Sequence, residues 1–110
     1  MVKKRISTKV NKIVEGYIQR LATLEKVPIK KVIIFGSQSK GGTHKWSDID
    51  VCIISPKFNA SLETLQFLFK KRNKKEVMAG LEPIGFSEKD FKEGSSLINE
   101  IKKTGVNIKF

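Results

Sequence analysis

Residues 32–54 read VIIFGSQSKGGTHKWSDIDVCII and carry the clearest indications of the fold. This segment begins with a continuous apolar, β-branched run, Val32–Phe35, which predicts a buried strand. A Gly-Ser turn follows, and after a spacer two aspartates stand one residue apart on a second apolar strand. This order supplies both halves of a metal-dependent phosphate site: a turn for a polyphosphate and a carboxylate pair for the divalent ion that accompanies it.

The two aspartates are the stronger half of this pattern. Side chains alternate along a strand, so Asp48 and Asp50 project from the same face, roughly 6–7 Å apart. Carboxylates this close repel each other unless a cation lies between them. Mg²⁺ prefers oxygen ligands and takes one or two protein carboxylates together with water and substrate phosphates. A polar strand edge is the alternative, but Asp is disfavoured inside a strand as apolar as residues 49–54, which favours the metal.

The Gly-Ser turn is the weaker half, because the dipeptide alone is common between a strand and a helix. Gly36 lets the backbone turn sharply and approach a ligand without a Cβ in the way. Ser37 can cap the short helix that follows and can also donate its hydroxyl to a phosphate, since the N–H groups at a helix start attract anions. The turn is not a Walker P-loop, because no Gly-Lys-Ser/Thr follows it.

With Gly36-Ser37, the spacer and Asp48-Ile49-Asp50 in place, the chain resembles the DNA polymerase β-type nucleotidyltransferase superfamily. It is most similar to the minimal nucleotidyltransferases, which are often encoded beside a helical HEPN-domain toxin that they adenylylate. The similarity extends from about Lys30 onward and includes residues 82–91 and 98–105.

The resemblance implies a fold, a reaction and ligands. The fold would be α/β, a small mixed twisted sheet with flanking helices, as in polymerase β-like nucleotidyltransferases. The reaction would be Mg²⁺-dependent transfer of a nucleoside monophosphate, AMP from ATP being the first candidate, to a hydroxyl on a protein or RNA. Two Mg²⁺ ions would assist, and an antitoxin role beside a HEPN-type toxin would follow.

The family usually carries a third carboxylate on a later strand. Val77–Glu82 is the later apolar run placed to supply it, and Glu82 ends that run before Pro83. Glu82 would therefore complete the metal site with Asp48 and Asp50. A solvated glutamate at a strand end is an equally weighted alternative.

Length, cysteine count and net charge indicate the number of domains, the location and the kind of partner. The 110 residues are expected to form one domain, residues 1–110, without a membrane span or a signal peptide, which predicts a cytoplasmic protein. One cysteine, Cys52, excludes an internal disulfide. The net charge of +11 suggests a polyanionic partner, although charge runs such as Lys70–Lys75 are usually solvated.

Three helices and one further strand are expected around this site. An apolar stripe between Ile6 and Leu21 predicts an amphipathic helix. A second helix is expected over residues 61–72 with Leu62 and Leu68 inward, and a last helix ends at Gly105 before an edge strand. His44 is read as an ordinary loop residue.

Two other functions stay open beside the enzyme. A non-catalytic module would keep the fold and mask a partner, and a basic RNA-binding protein would carry the motif incidentally. A chain this short has little room for an acceptor-recognition domain, which suggests a partner protein or self-association. Salt-sensitive RNA binding that survives Asp48→Asn would favour the RNA-binding protein.

Overall fold

The sheet is built from the apolar runs that flank the Gly-Ser turn. A computed structural model describes residues 6–36 and 48–110. Its elements are α1 Thr8–Thr23, β1 Lys31–Phe35, β2 Ile49–Ile54, α2 Leu62–Lys70, α3 Lys74–Met78, β3 Leu81–Phe86, α4 Glu88–Glu93, α5 Ser96–Thr104 and β4 Val106–Asn107. The four strands form one sheet in the order β3-β2-β1-β4.

The sheet is mixed, and its strand directions bring the end of β1 and the starts of β2 and β3 to the same edge. β1 pairs antiparallel with β2 and β4, whereas β2 and β3 run parallel. The end of β1 therefore lies beside the start of β2, and the start of β3 lies next to it. The prediction of a small mixed α/β sheet with flanking helices is confirmed.

Helices cover both faces of the sheet, so the central strands are buried on both sides. One core cluster joins Val32, Ile34, Val51 and Ile53 to the apolar sides of α1 and α2. The alternate residues of the same strands pack with α5 and Phe86 in a second cluster. Burial on both faces explains why β1 and β2 read as unbroken apolar runs rather than as alternating patterns.

Helix α1 forms where the apolar stripe predicts it. Its N-cap Ser7 accepts a hydrogen bond from the Val10 amide at 3.2 Å, which satisfies one of the amides at the helix start. Tyr17 is fully buried, and its hydroxyl donates to the carbonyl of Leu68 at 2.6 Å. This bond fixes α1 against the C-terminal half of α2.

The termini of the later helices follow local sequence signals. Ser87 and Asp90 form a capping box at the start of α4. α5 ends at Gly105, as expected: the backbone becomes extended there, and a side chain would collide with Ile101 and Ile33. The predicted edge strand is present as β4.

Two local expectations are wrong. Leu62 is 66% exposed, and Thr64 takes the buried position beside Leu68. Val77 and Met78 belong to α3 and not to a strand, because Asn73 and Glu76 form a capping box that starts a helix there. The basic run at residues 70–75 joins α2 to α3.

Within residues 6–36 and 48–110, no helix is long and apolar enough to cross a membrane.

Candidate active site

Three carboxylates meet at the edge where β2 and β3 begin. Asp48 directly precedes β2, Asp50 is the second residue of β2, and Glu82 is the second residue of β3. Asp50 and Glu82 are register partners in the parallel pair. Glu82 is close enough to both aspartates for their charges to raise its pKa. The sequence pattern placed Asp48 and Asp50 on one face, and the strand pairing brings Glu82 to them.

The position of Glu82 differs from the sequence expectation in one respect. Glu82 does not end an apolar strand, because β3 begins at Leu81 and continues through Pro83 to Phe86. Proline is tolerated here because β3 is an edge strand, where a missing N–H can face outward. Glu82 is thus held inside a paired strand segment rather than at a loose end.

Two glycines give the aspartate side chains their space. Gly36 follows β1 with φ +73°, and a side chain at this position would collide with Asp50 Oδ2. Gly80 precedes β3 with φ +78°, and a Cβ there would lie 2.9 Å from Asp48 Oδ1. The Gly80 carbonyl also accepts a hydrogen bond from the Ile49 amide at 2.8 Å. Both carboxylates therefore lie directly against backbone without side chains.

Two of the three carboxyl groups have raised pKa values. Burial raises the pKa of Asp50, and the charge of Asp48 adds to the effect. Burial also raises the pKa of Glu82, and the charges of Asp48 and Asp50 act in the same direction. A cation bound at this edge would relieve the repulsion between the carboxylates.

The positive charge of Arg72 lies close enough to the cluster to lower the pKa of Glu82. Its Nη1 donates to the carbonyl of Leu81 at 3.0 Å, and its Nε donates to the carbonyl of Phe69 at 3.0 Å. The guanidinium also lies 4.3 Å from the centre of the Phe69 ring. These contacts fix a positive charge next to the start of β3.

The cluster fits a divalent ion by its donor chemistry. All donors are carboxylate oxygens, which suit Mg²⁺, and that ion needs only one or two of them. In the part of the chain that the structure describes, no three acidic, histidine or cysteine side chains surround one point as ligands of a single metal. Phosphate or water oxygens would complete the coordination of an ion held by two of the carboxylates.

The wall of the site next to Gly80 depends on a buried ion pair. Glu76 is 3% exposed and accepts hydrogen bonds from Arg20 Nη1 at 2.6 Å and Nη2 at 2.5 Å. The same carboxylate accepts the Asn73 amide in the capping box of α3. Glu76 therefore joins α3, and the Gly80 turn that follows it, to α1.

Sequence reasoning missed Gly80, Arg72 and Glu76. The Asn73-x-x-Glu76 spacing is a capping-box signal that could have identified α3. No local signal indicates that Arg72 or Gly80 lies beside the carboxylates, because both relations arise from strand pairing. Ser37, His44 and Trp46, which the sequence also singled out, lie outside the described residues.

Comparisons with known proteins agree with this geometry. A family model described as a nucleotidyltransferase domain matches residues 14–107. No curated protein matches the chain. A candidate nucleotidyltransferase from Sulfolobus solfataricus has a similar fold, with a TM-score of 0.62 and 17% identity over 90% of this chain and 78% of that one.

A second solved structure with this fold is a toxin-antitoxin with AMP-PNP. Its TM-score is 0.55 at 19% identity, over 84% of this chain and 70% of that one. At these identities the two structures show the fold alone. Because the family model spans most of the sequence, the chain belongs to the nucleotidyltransferase domain family. The predicted family and enzyme class are confirmed, and the chain is a nucleotidyltransferase.

Proposed function

We propose that this nucleotidyltransferase moves AMP from ATP to a hydroxyl on a protein or RNA acceptor, with Mg²⁺ as cofactor. The observation that carries the proposal is the meeting of Asp48, Asp50 and Glu82 against Gly36 and Gly80 at one sheet edge. Oxygen donors beside backbone that a ligand can approach closely suit a triphosphate and its metal ion.

Asp48 and Asp50 would hold one divalent ion, and Glu82 would share in holding a second. When bound, the ion neutralises charge on the phosphates and activates the acceptor hydroxyl, and the number of ions, two by the family resemblance, stays a prediction. Gly36 lets the triphosphate approach the end of β1, where Ser37 is expected to bind the β- and γ-phosphates.

Proton transfer is a second role that we propose for Glu82. Burial and the neighbouring carboxylates raise its pKa, which brings it closer to the range useful for accepting a proton. Glu82 would accept the proton of the acceptor hydroxyl as that oxygen attacks the α-phosphorus of ATP. The bond to pyrophosphate breaks in the same step, and pyrophosphate leaves with the electron pair. Positioning and electrostatics then supply most of the rate enhancement.

The acceptor and the partner are proposed from comparison with other proteins. One protein of similar fold is a toxin-antitoxin with an ATP analogue, and those properties belong to that protein. Together with the resemblance to minimal nucleotidyltransferases, they make ATP the first nucleotide and a small helical HEPN-type protein the first partner to test. Self-association and a tRNA acceptor remain alternatives.

Calorimetric titration of ATP with and without Mg²⁺ tests the central claim. The native chain is expected to bind ATP only when Mg²⁺ is present, and the Asp48→Asn, Asp50→Asn double variant is expected to lose that binding. The Glu88→Gln, Glu93→Gln variant removes two exposed carboxylates from α4 and serves as the matched control. Equal Mg²⁺-dependent binding by both variants would contradict the proposal.

A further inference from the structure

A basic groove lies between α1 and α3, outside the carboxylate cluster. It has a volume of about 330 Å³ and is lined by Lys9, Lys12, Ile13, Gly16, Arg20, Asn73, Lys75 and Glu76. Arg20 and Glu76 neutralise each other through their bidentate ion pair. The remaining charges of the groove are therefore three positive ones, from Lys9, Lys12 and Lys75.

These three lysines are exposed and available to a ligand. In the described ranges, residues 6–36 and 48–110, the ion pairs are Arg20–Glu76 and Lys71–Glu25, so none of the three has a carboxylate partner there. Lys9 and Lys12 are three residues apart on α1 and so lie on one side of the helix, roughly 5–6 Å apart at their Cβ atoms. The groove thus presents a short row of cationic groups opposite Lys75.

Gly16 is the second unusual feature of the groove. It lies in the middle of α1, where glycine destabilises a helix relative to alanine. Among residues 6–36 and 48–110, no atom would lie within 4 Å of a Cβ at this position, so packing in this part of the chain does not require a glycine. A glycine that internal packing does not explain suggests close approach of a ligand to the backbone.

The lining of the groove favours phosphate over a protein surface. Protein interfaces are depleted in lysine at their centre and rely on aromatic and aliphatic anchors. The apolar side chain in this groove, Ile13, is buried and offers no exposed anchor. Lysines on flexible stems suit phosphates, which they contact as point charges.

Helix α3 links the groove to the candidate active site along the chain. Lys75 and Glu76 of α3 line the groove, and Gly80, where a Cβ would lie 2.9 Å from Asp48 Oδ1, is the second residue after the helix.

We propose that the α1–α3 groove binds the phosphodiester backbone of single-stranded RNA, with Lys9, Lys12 and Lys75 contacting successive phosphates and Gly16 leaving space for the strand. That the end of this RNA supplies the acceptor hydroxyl rests on the function proposed above. The binding itself does not, because it needs neither ATP nor a metal ion.

The test is the affinity of the full chain for a fluorescein-labelled 12-nucleotide RNA, measured by anisotropy in EDTA over a series of salt concentrations. The Lys9→Ala, Lys12→Ala, Lys75→Ala variant is expected to bind at least tenfold more weakly at 0.15 M salt. Its slope of log affinity against log salt should fall in magnitude by about 2, since each contact with single-stranded nucleic acid contributes about 0.7.

Two further variants separate the groove from net charge and from stability. Lys89→Ala, Lys103→Ala, Lys109→Ala removes the same charge from exposed positions elsewhere and is expected to change affinity less than threefold. Gly16→Ala is expected to raise Tm by roughly 2–6 °C, because alanine stabilises a helix relative to glycine, and to weaken RNA binding. Unfolding of the variant could not produce a higher Tm together with weaker binding.

Equal loss of affinity in the two triple variants would overturn the proposal, because net charge alone would then explain the binding. Polyglutamate that competes with RNA at equal charge concentration would also overturn it, in favour of an acidic protein ligand. The proposed nucleotidyl transfer is tested separately by Mg²⁺-dependent ATP binding. A chain that binds RNA through the groove but does not bind ATP with Mg²⁺ would contradict the proposed function and leave the groove proposal intact.

Discussion

Asp50 and Glu82 face each other as register partners on the parallel strands β2 and β3. Asp48 adds a third carboxylate on the same edge, and the charges of both aspartates raise the pKa of Glu82. Acidic side chains gathered this closely oppose folding through their mutual repulsion when no cation is bound. The site thus has a cost in stability that ligand binding would offset.

Asp50→Asn is expected to stabilise the chain in EDTA. Removing one charge from the cluster relieves repulsion of about 0.5 kcal/mol after solvent screening, which corresponds to a rise of roughly 2–4 °C in Tm. Thermal unfolding at pH 7 measures the shift, and adding Mg²⁺ with ATP should raise the Tm of the native chain but not that of the variant. The exposed Glu93→Gln is the control, and an unchanged or lower Tm for Asp50→Asn in EDTA would contradict the account.

Gly80→Ala is expected to weaken Mg²⁺-dependent ATP binding by more than its lower free energy of unfolding explains. The change forces a side chain onto a residue with φ +78° and places Cβ 2.9 Å from Asp48 Oδ1. Gly94→Ala is the matched control, since φ is +84° there and its Cβ would meet only Asn99 within 4 Å. Both variants should lose about 1 kcal/mol or more in chemical denaturation. Only Gly80→Ala should weaken Mg²⁺-dependent ATP binding, and equal binding by the two variants would show that Gly80 does not position Asp48.

Glu76→Gln is expected to destabilise the chain by about 2–3 kcal/mol. The buried carboxylate holds both guanidinium nitrogens of Arg20, and removing one partner of such a pair leaves the other charge uncompensated. Urea denaturation measures the loss. Glu25→Gln breaks the more exposed pair with Lys71 at 3.2 Å and should cost less than about 1 kcal/mol. Similar losses in the two variants would mean that the Arg20 pair does not anchor α3.

Cys52 is expected to resist alkylation in the folded chain at pH 8. The side chain is fully buried, and burial raises the pKa of its thiol to about 12, so the reactive thiolate is scarce. Iodoacetamide labelling followed by mass spectrometry should modify Cys52 only after guanidinium is added. Labelling at equal rates with and without denaturant would contradict the buried position.

The same thiol makes stability fall at high pH. The folded pKa of Cys52 is raised above its ordinary value of 9.0, so its contribution is complete below pH 9 and is lost as pH rises towards 12. Burial raises the pKa of Tyr17 as well, which acts in the same direction above pH 10. Urea midpoints at pH 8 and pH 10.5 should therefore differ less in Cys52→Ala than in the native chain. An identical pH dependence would show that Cys52 ionises as freely when folded as when unfolded.

Local signals in the sequence were sufficient for much of the fold. The β-branched runs predicted β1 and β2, and capping residues such as Ser7 and Ser87 lie at helix starts where their hydroxyls accept backbone amides. The relative placement of Asp48 and Asp50 also followed from sequence, because residues two apart on a strand share a face.

Other features could not be predicted because they depend on partners distant in the chain. Val77 and Met78 look like strand residues by composition, yet they belong to helix α3. The same helix carries Glu76, which forms a buried ion pair with Arg20 far away in the chain. Leu62 looks like a core residue, yet it is exposed because the sheet contacts a different side of α2.

Side-chain periodicity and hydrogen bonds within a few residues were enough to predict β1, β2, helix α1 and the spacing of the aspartate pair. That Glu82 joins Asp50 and that Gly80 lies against Asp48 depends on the fold as a whole. Both relations arise from the parallel register of β2 and β3, and burial and pairing across the whole sheet select that register rather than any local preference.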